Sequence, residues 1–257
     1  MRKNAYMLPG WIAGRYNKDE RLAIIFNNLA GETYMFEEDT ADLMKLLLDQ
    51  EYYQMFSAAR LADRLGCSEE DLDPFLDELA EQRVLVKEIP SLDDLAALRN
   101  KVVEAKRLFL KESAGTEKLQ SVFELVDTEY RDRIEKYGVP SSVSIELTYG
   151  CNEMCVHCYN PNSSRENCVV KKVANDELAT EDYFSVLDQL ADMGVPKVLF
   201  TGGDPFVKKD FIRILQYAHK KKFAVDIYTN GQSLYNNPGL YEQLVACFPH
   251  TIGISLY

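Results

Sequence analysis

The sequence predicts two folds in series: an α+β module of winged-helix-like pattern, then a partial α/β barrel of repeated βα units. Three observations carry this. Two β-rich runs near the start are joined by a turn-like linker and followed by helices. A helix, a short Gly-containing turn, a second helix and a short strand close the first third. After residue 140, four β-rich runs alternate with three helical stretches, the signature of a parallel sheet.

The first module follows from residues 1–90. Residues 21–26 (RLAIIF) and 32–36 (ETYMF) are strands, joined by NNLAG as a hairpin connection. Residues 37–48 have helical spacing, with Leu43, Leu46 and Leu47 on one face. Residues 57–65 form a helix, Gly66, Cys67 and Ser68 turn the chain, and residues 69–82 form another. Ser68 suits an N-cap, with acids behind it in the first turn. Val84, Leu85 and Val86 supply the short strand, and Pro90 ends the module. Residues 91–140 are a helical linker, expected as two helices broken near Ser113, Ala114 and Gly115.

The second fold covers residues 141–257. Its strands are expected at 143–147, 197–201, 224–228 and 251–256, and its helices at 177–193, 208–221 and 238–248. No fixed-period repeat and no low-complexity tract interrupts it.

Composition limits what the chain does. It has 257 residues and net charge −12, and residues 1–90 alone hold 10 Lys or Arg against 18 Asp or Glu, net −8. That balance argues against binding nucleic acid, which needs a positive surface. The second helix of the front pair would be the recognition helix of a DNA-binding module. It carries Glu69, Glu70, Asp71, Asp73, Asp77, Glu78 and Glu81, which a phosphate groove repels. No apolar run approaches the ~18 residues that span a membrane. The N-terminus has no apolar export segment, so a cytoplasmic location is expected. Six cysteines are too sparse for a disulfide framework.

Three of those cysteines carry the chemistry. Cys151, Cys155 and Cys158 make C-x3-C-x2-C directly after the first βα strand. Three close thiolates suit a 4Fe–4S cluster and leave one iron without a protein ligand, open to substrate or cofactor. Zinc is the competing metal, although a structural site wants a fourth ligand and His157 lies awkwardly inside the triplet. Three unrelated buried cysteines are the plainest alternative. Cys67, Cys168 and Cys247 stand alone and receive no cluster role.

CNEMCVHCY at this position resembles the cysteine loop of the radical S-adenosylmethionine (SAM) superfamily, and within it the SPASM-type peptide-maturase branch. The resemblance implies that Cys151, Cys155 and Cys158 bind the cluster and that its fourth iron chelates SAM. Electron transfer from the reduced cluster then cleaves SAM to a 5′-deoxyadenosyl radical. It also implies an electron donor such as flavodoxin or ferredoxin. Gly202, Gly203 and Asp204 after the second strand match the family's GGE-type motif beside the SAM amino group, with Asp for the commoner Glu. Ser255 stands where the family often has a ribose contact, and His157 where a residue lies near adenine. A satisfied core hydroxyl is an equal reading of Ser255. Thr229, Asn230 and Gly231 end the third strand and read more safely as a turn. All these positions fall at the C-terminal ends of strands, the face that carries active sites in β/α barrels.

The front module is similar to the leader-peptide recognition domain of ribosomal-peptide biosynthesis, through its element order and the stretch GETYMFEEDTADLMKLL. That resemblance implies a precursor peptide as partner, its leader added as a strand beside Thr33, Tyr34, Met35 and Phe36 and packed on Leu72, Phe75, Leu76 and Leu79. The expected activity is crosslink or thioether formation on such a peptide. An activating or cofactor-building enzyme, or a non-catalytic binding protein, are the other readings. The resembled barrel has six strands and this pattern four. The sequence is therefore expected to be the N-terminal part of a longer protein, with little activity by itself.

Overall fold

The computed structural model describes residues 5–112, 122–159 and 177–256. The chain divides into two compact units, Met1–Lys136 and Tyr137–Tyr257.

The first unit begins with β1 (Ala5–Tyr6), β2 (Ile12–Asn17), β3 (Leu22–Asn27) and β4 (Glu32–Glu37), followed by α1 (Glu38–Leu48) and β5 (Phe56–Ser57). Next come α2 (Ala58–Leu65), α3 (Glu69–Glu81), α4 (Leu92–Glu112) and α5 (Val122–Glu135). The expected hairpin is β3–β4, with Ile24 opposite Met35 and Ile25 opposite Tyr34. β2 adds to its other side and makes an antiparallel meander in the order β2-β3-β4. β2 goes beyond the sequence expectation, because Gly14 and Arg15 break its apolar run. Every residue of the central β3 is buried, as a strand with neighbours on both edges and a helix on its face should be. α1 supplies that helix through Ala41, Leu43, Met44 and Leu47, so Met44 takes the place expected of Leu46.

β1 pairs with β5, and Met7 bridges Val86 on its other side. The short strand at 84–86 is thereby reduced to this one bridge. Ser57 and Ser68 accept from the amides of Arg60 and Asp71 and cap α2 and α3. Leu72, Leu76 and Leu79 of α3 are buried. Hydrogen bonds tie the meander to the end of α3: Trp11 Nε1 donates to Arg83 O at 2.9 Å, and Asn27 Nδ2 to Gln82 O at 3.2 Å. Tyr6 donates to Asp77 at 2.6 Å.

The helical stretch expected as a linker belongs to the first unit as far as Lys136. α5 packs on β4, buries Tyr130 and Ile134, and pairs Arg133 with Glu20 and Glu37. Burial of two large apolar side chains, about 1.5–3 kcal/mol each, holds a helix to its module rather than leaving it a spacer. The expected break near Ser113 lies outside the described residues.

The second unit runs β6 (Ser142–Thr148), α6 (Thr180–Asp192), β7 (Lys197–Gly202), a 3-10 turn (Pro205–Val207) and α7 (Phe211–Lys220). β8 (Ala224–Thr229), α8 (Gln232–Asn236), α9 (Pro238–Ala246) and β9 (Thr251–Ile254) follow. The four expected strands form one parallel sheet in the order β6-β7-β8-β9. α6 starts three residues later than expected, because the Glu177 carboxylate is drawn to Thr148 and Lys208 instead of the helix. α7 starts late because Pro205–Val207 makes a separate turn. One sheet face packs Leu147, Val198, Phe200, Val225 and Ile227 against Tyr183, Leu187, Phe211, Ile214, Leu215 and Leu244 of the helices. The other face carries Ser144, Glu146, Leu199, Thr201, Asp226 and Tyr228 in register. A parallel sheet buried on both faces reads as unbroken apolar strands. The polar alternation here fits a sheet with one face packed and the other partly exposed.

Candidate active site

The site is built at the C-terminal ends of β6, β7 and β8. Thr148 ends β6, and its hydroxyl accepts from Gly150 N at 2.9 Å, turning the chain into the cysteine loop. β7 is stitched to that turn: Gly203 N donates to Thr148 O at 2.7 Å and Asp204 N to Gly150 O at 2.9 Å. The approach is too close for side chains. A Cβ on Gly202 would strike the Thr148 carbonyl, and one on Gly203 the Gly150 carbonyl. Gly202 also sits at φ +129°, where L side chains are strained. The glycine pair is therefore required by backbone packing under the cysteine loop, before any ligand is considered.

Asp204 is fully buried. One carboxylate oxygen accepts from Phe206 N at 2.9 Å, the other from Thr229 Oγ1 at 2.7 Å and Asn230 N at 2.9 Å. The sequence expectation places the backbone of Gly202–Asp204 beside SAM, and the Asp204 carboxylate itself turns inward, as a clasp between the ends of β7 and β8. With the Gly203 and Asp204 amides also engaged, what this segment can offer a ligand's amino group is carbonyl oxygen.

Cys151 is buried, while Cys155 and Cys158 are half-buried. Cys158 N donates to Cys155 O at 3.2 Å, closing a turn that leaves His157 exposed. Cys151 Sγ accepts from Glu153 N at 3.4 Å and from Asn230 Nδ2 at 3.8 Å. Donors aimed at sulfur favour a thiolate, the form that binds iron. Among the described residues no group of three or more His, Cys, Asp or Glu side chains is arranged to hold a single ion. A 4Fe–4S cluster makes a different demand, because each cysteine takes its own iron. The donor set fits a cluster in this respect: three cysteines on one loop, one of them already hydrogen-bonded at sulfur.

Tyr159 follows the last cysteine and its hydroxyl lies 3.4 Å from Glu146 on the polar sheet face. Ser255 lies just past β9, exposed, with its amide bonded to Thr229 O at 3.0 Å. It shares the same end of the sheet as the cysteine loop. Cys247 is buried in α9's end, and burial alone pushes its thiol up to about 11, which suits an inert core residue. Cys67 is exposed, and Cys168 lies outside the described residues.

Asn230, which the sequence places in a turn at Thr229–Gly231, and Asn152 both stand beside the cysteine loop. Asn230 Nδ2 donates to Asn152 Oδ1 at 2.7 Å, and Asn152 Nδ2 to Ser233 Oγ at 3.4 Å. A further bond joins Gln232 to Glu153. The usable signal was a run of amide side chains at a strand's C-terminal end.

The residues expected to hold a leader peptide lie in the first unit. β4 is one of the two outer strands of its meander, with Thr33 buried and Tyr34, Met35 and Phe36 half-buried. Leu72, Leu76 and Leu79 are core residues, and Phe75 is the half-buried member of that set.

Residues 145–257 match the family model of the Radical SAM superfamily. The chain is 34% identical over 100 residues to the PqqA peptide cyclase of Bradyrhizobium diazoefficiens, covering 39% of this chain and 23% of that protein. It is 38% identical over 85 residues to the Fe-coproporphyrin III synthase of Methanosarcina barkeri, covering 33% of this chain and 20% of that protein. The crystal structure of Streptococcus suis SuiB bound to precursor peptide SuiA aligns with 88% of this chain and 43% of that one, at 17% identity and a TM-score of 0.40. The chain thus matches under a quarter of the length of these curated relatives.

Proposed function

We propose that this chain, whose residues 145–257 carry a radical SAM domain, belongs to an enzyme that modifies a ribosomally made peptide. The observation that carries the reading is convergence: Cys151, Cys155 and Cys158, the Gly202–Gly203–Asp204 turn and Asn230 meet at one end of a parallel sheet. When bound, a 4Fe–4S cluster with SAM supplies one-electron cleavage of the sulfonium and hydrogen abstraction from substrate. Cys151, Cys155 and Cys158 would hold three of its irons. The Gly202–Gly203 backbone, Ser255 and the loop around His157 would line the SAM position. Glu146 and Thr201, in register across the polar sheet face, and Tyr228 on the next strand of that face would receive the substrate.

The similarity to PqqA peptide cyclase supports a peptide as that substrate. The outer edge of β4 and Phe75 are the surfaces of the first unit suited to a leader added as a strand. Flavodoxin or ferredoxin would supply the electron. No helix among the described residues is long and apolar enough to cross a membrane.

A second reading, assembly of a cofactor, is favoured by the similarity to Fe-coproporphyrin III synthase. One experiment separates them. The protein is reconstituted anaerobically with iron and sulfide, and release of 5′-deoxyadenosine is measured with and without a candidate precursor peptide. Peptide binding and peptide-stimulated release support the maturase. Release that a porphyrin stimulates and no peptide affects supports the second reading. No SAM cleavage with a full cluster overturns both.

A further inference from the structure

The loop after β8 grips the first half of the cysteine loop. Asn230 is central to that grip. Its backbone amide is fixed to the buried Asp204 carboxylate at 2.9 Å, and its Oδ1 accepts from Gln232 N at 3.0 Å. With oxygen and backbone anchored, the Nδ2 group has one direction left. It points at Cys151 Sγ, 3.8 Å away, and at Asn152 Oδ1, 2.7 Å away. Asn152 and Glu153 are held in turn by Ser233 and Gln232. A chain of contacts therefore runs from a fully buried carboxylate to the sulfur of the most buried of the three cysteines.

From this geometry we infer that Asn230 is a positioning residue for the cluster, acting through the Cys151 sulfur to raise its reduction potential. The inference rests on the reading that Cys151, Cys155 and Cys158 hold a cluster. Hydrogen bonds to cluster sulfur are among the factors that set its potential. Reduction adds negative charge, part of it on the cysteine sulfurs. A donor aimed at one of them stabilises the reduced form more than the oxidised form. The Glu153 amide does the same from the other side at 3.4 Å, but it is backbone and any residue at 153 except proline supplies it. Asn230 is the contribution that sequence can change.

The test uses the full chain, reconstituted anaerobically, and follows the cluster's midpoint potential by EPR during a redox titration. Two variants are compared with the parent. Asn230→Ala removes the whole side chain. Asn230→Leu keeps the size of the side chain and adds no charge but loses the donor. Both are expected to load iron and sulfide like the parent. Each should be about tenfold harder to reduce, a shift of about 59 mV for one electron, towards more negative potential. Equal potentials at equal iron content would overturn the inference alone. Folded variants that hold no cluster would overturn it too, because Asn230 would then only support the loop. A parent chain that takes up no cluster would overturn the reading beneath it.

Discussion

At the scale of single residues, the surroundings of Asp204 show why an aspartate, and not a longer glutamate, follows the Gly-Gly pair. Its carboxylate meets three donors in a site with no exposure. One more methylene would drive the group into Thr229 and the Asn230 amide, and overpacking of that kind costs about 1–3 kcal/mol. Asp204→Glu should therefore lower the denaturation midpoint. Asp204→Ala, which strands the donors, should cost about 3 kcal/mol. Urea unfolding of the two variants checks both, and an Asp204→Ala protein as stable as the parent would contradict the clasp. Gly203 gives a second prediction at this scale. In Gly203→Ala the new methyl meets the Gly150 carbonyl, and the cysteine loop must move. Iron bound after reconstitution should fall well below four atoms per chain while the circular dichroism of the helices persists. The motif itself was legible in the sequence, because Gly-Gly-Asp after a strand is a recognisable pattern. The inward turn of its carboxylate was not, since nothing local to residue 204 shows that Thr229 and Asn230 will stand opposite.

Elements follow the same division between local and distant causes. The parallel strands β6 to β9 were readable because apolar residues recur at every second position and Gly or Pro marks the breaks. β2 was not, since its pairing with β3 comes from the partner strand and not from its own composition. The fate of α3 was half legible. Its caps and period were visible, but Leu72, Leu76 and Leu79 looked available for a ligand and are instead spent on the core. Polar contacts also fix α3: Asp77 lies 2.8 Å from Lys87 and accepts from Tyr6. The Lys87 ammonium first, then the Tyr6 phenol, hold the Asp77 carboxyl below its ordinary value of 3.8. A carboxylate lowered by folding contributes stability that is whole above 3.8 and is lost as pH falls through the folded value. Asp77 and Lys87 are about half exposed, so solvent screens the pair and the effect is small. In Asp77→Asn the loss of stability from pH 5 down to below 3.8 should be shallower than in the parent. Urea midpoints measured across that range decide it, and parallel curves would remove Asp77 from the acid response.

Across the whole molecule the charge is unevenly placed, and that placement constrains the partner. Of the net −12, residues 1–90 hold −8. Structure shows where part of it points. Glu69, Glu70, Asp71, Glu78 and Glu81 on α3 are exposed, whereas Asp73 and Asp77 are drawn inward to Tyr6. An acidic helix of this kind repels a phosphate backbone and attracts a segment carrying Lys or Arg. The apolar contacts it can offer are few, since its leucines are buried and Phe75 alone of the expected set is part exposed. Binding of a leader peptide should then depend on charge more than on apolar area. The affinity measured by calorimetry should fall at least about threefold between about 50 and about 500 mM salt, as the screening length shrinks. Glu70→Gln with Glu78→Gln should weaken binding at the low salt and leave it unchanged at the high salt, because screening has already removed what the substitutions remove. An affinity that ignores salt in the parent would remove α3 from the contact and leave it to the outer edge of β4 alone, where main-chain hydrogen bonds to an added strand are indifferent to ionic strength.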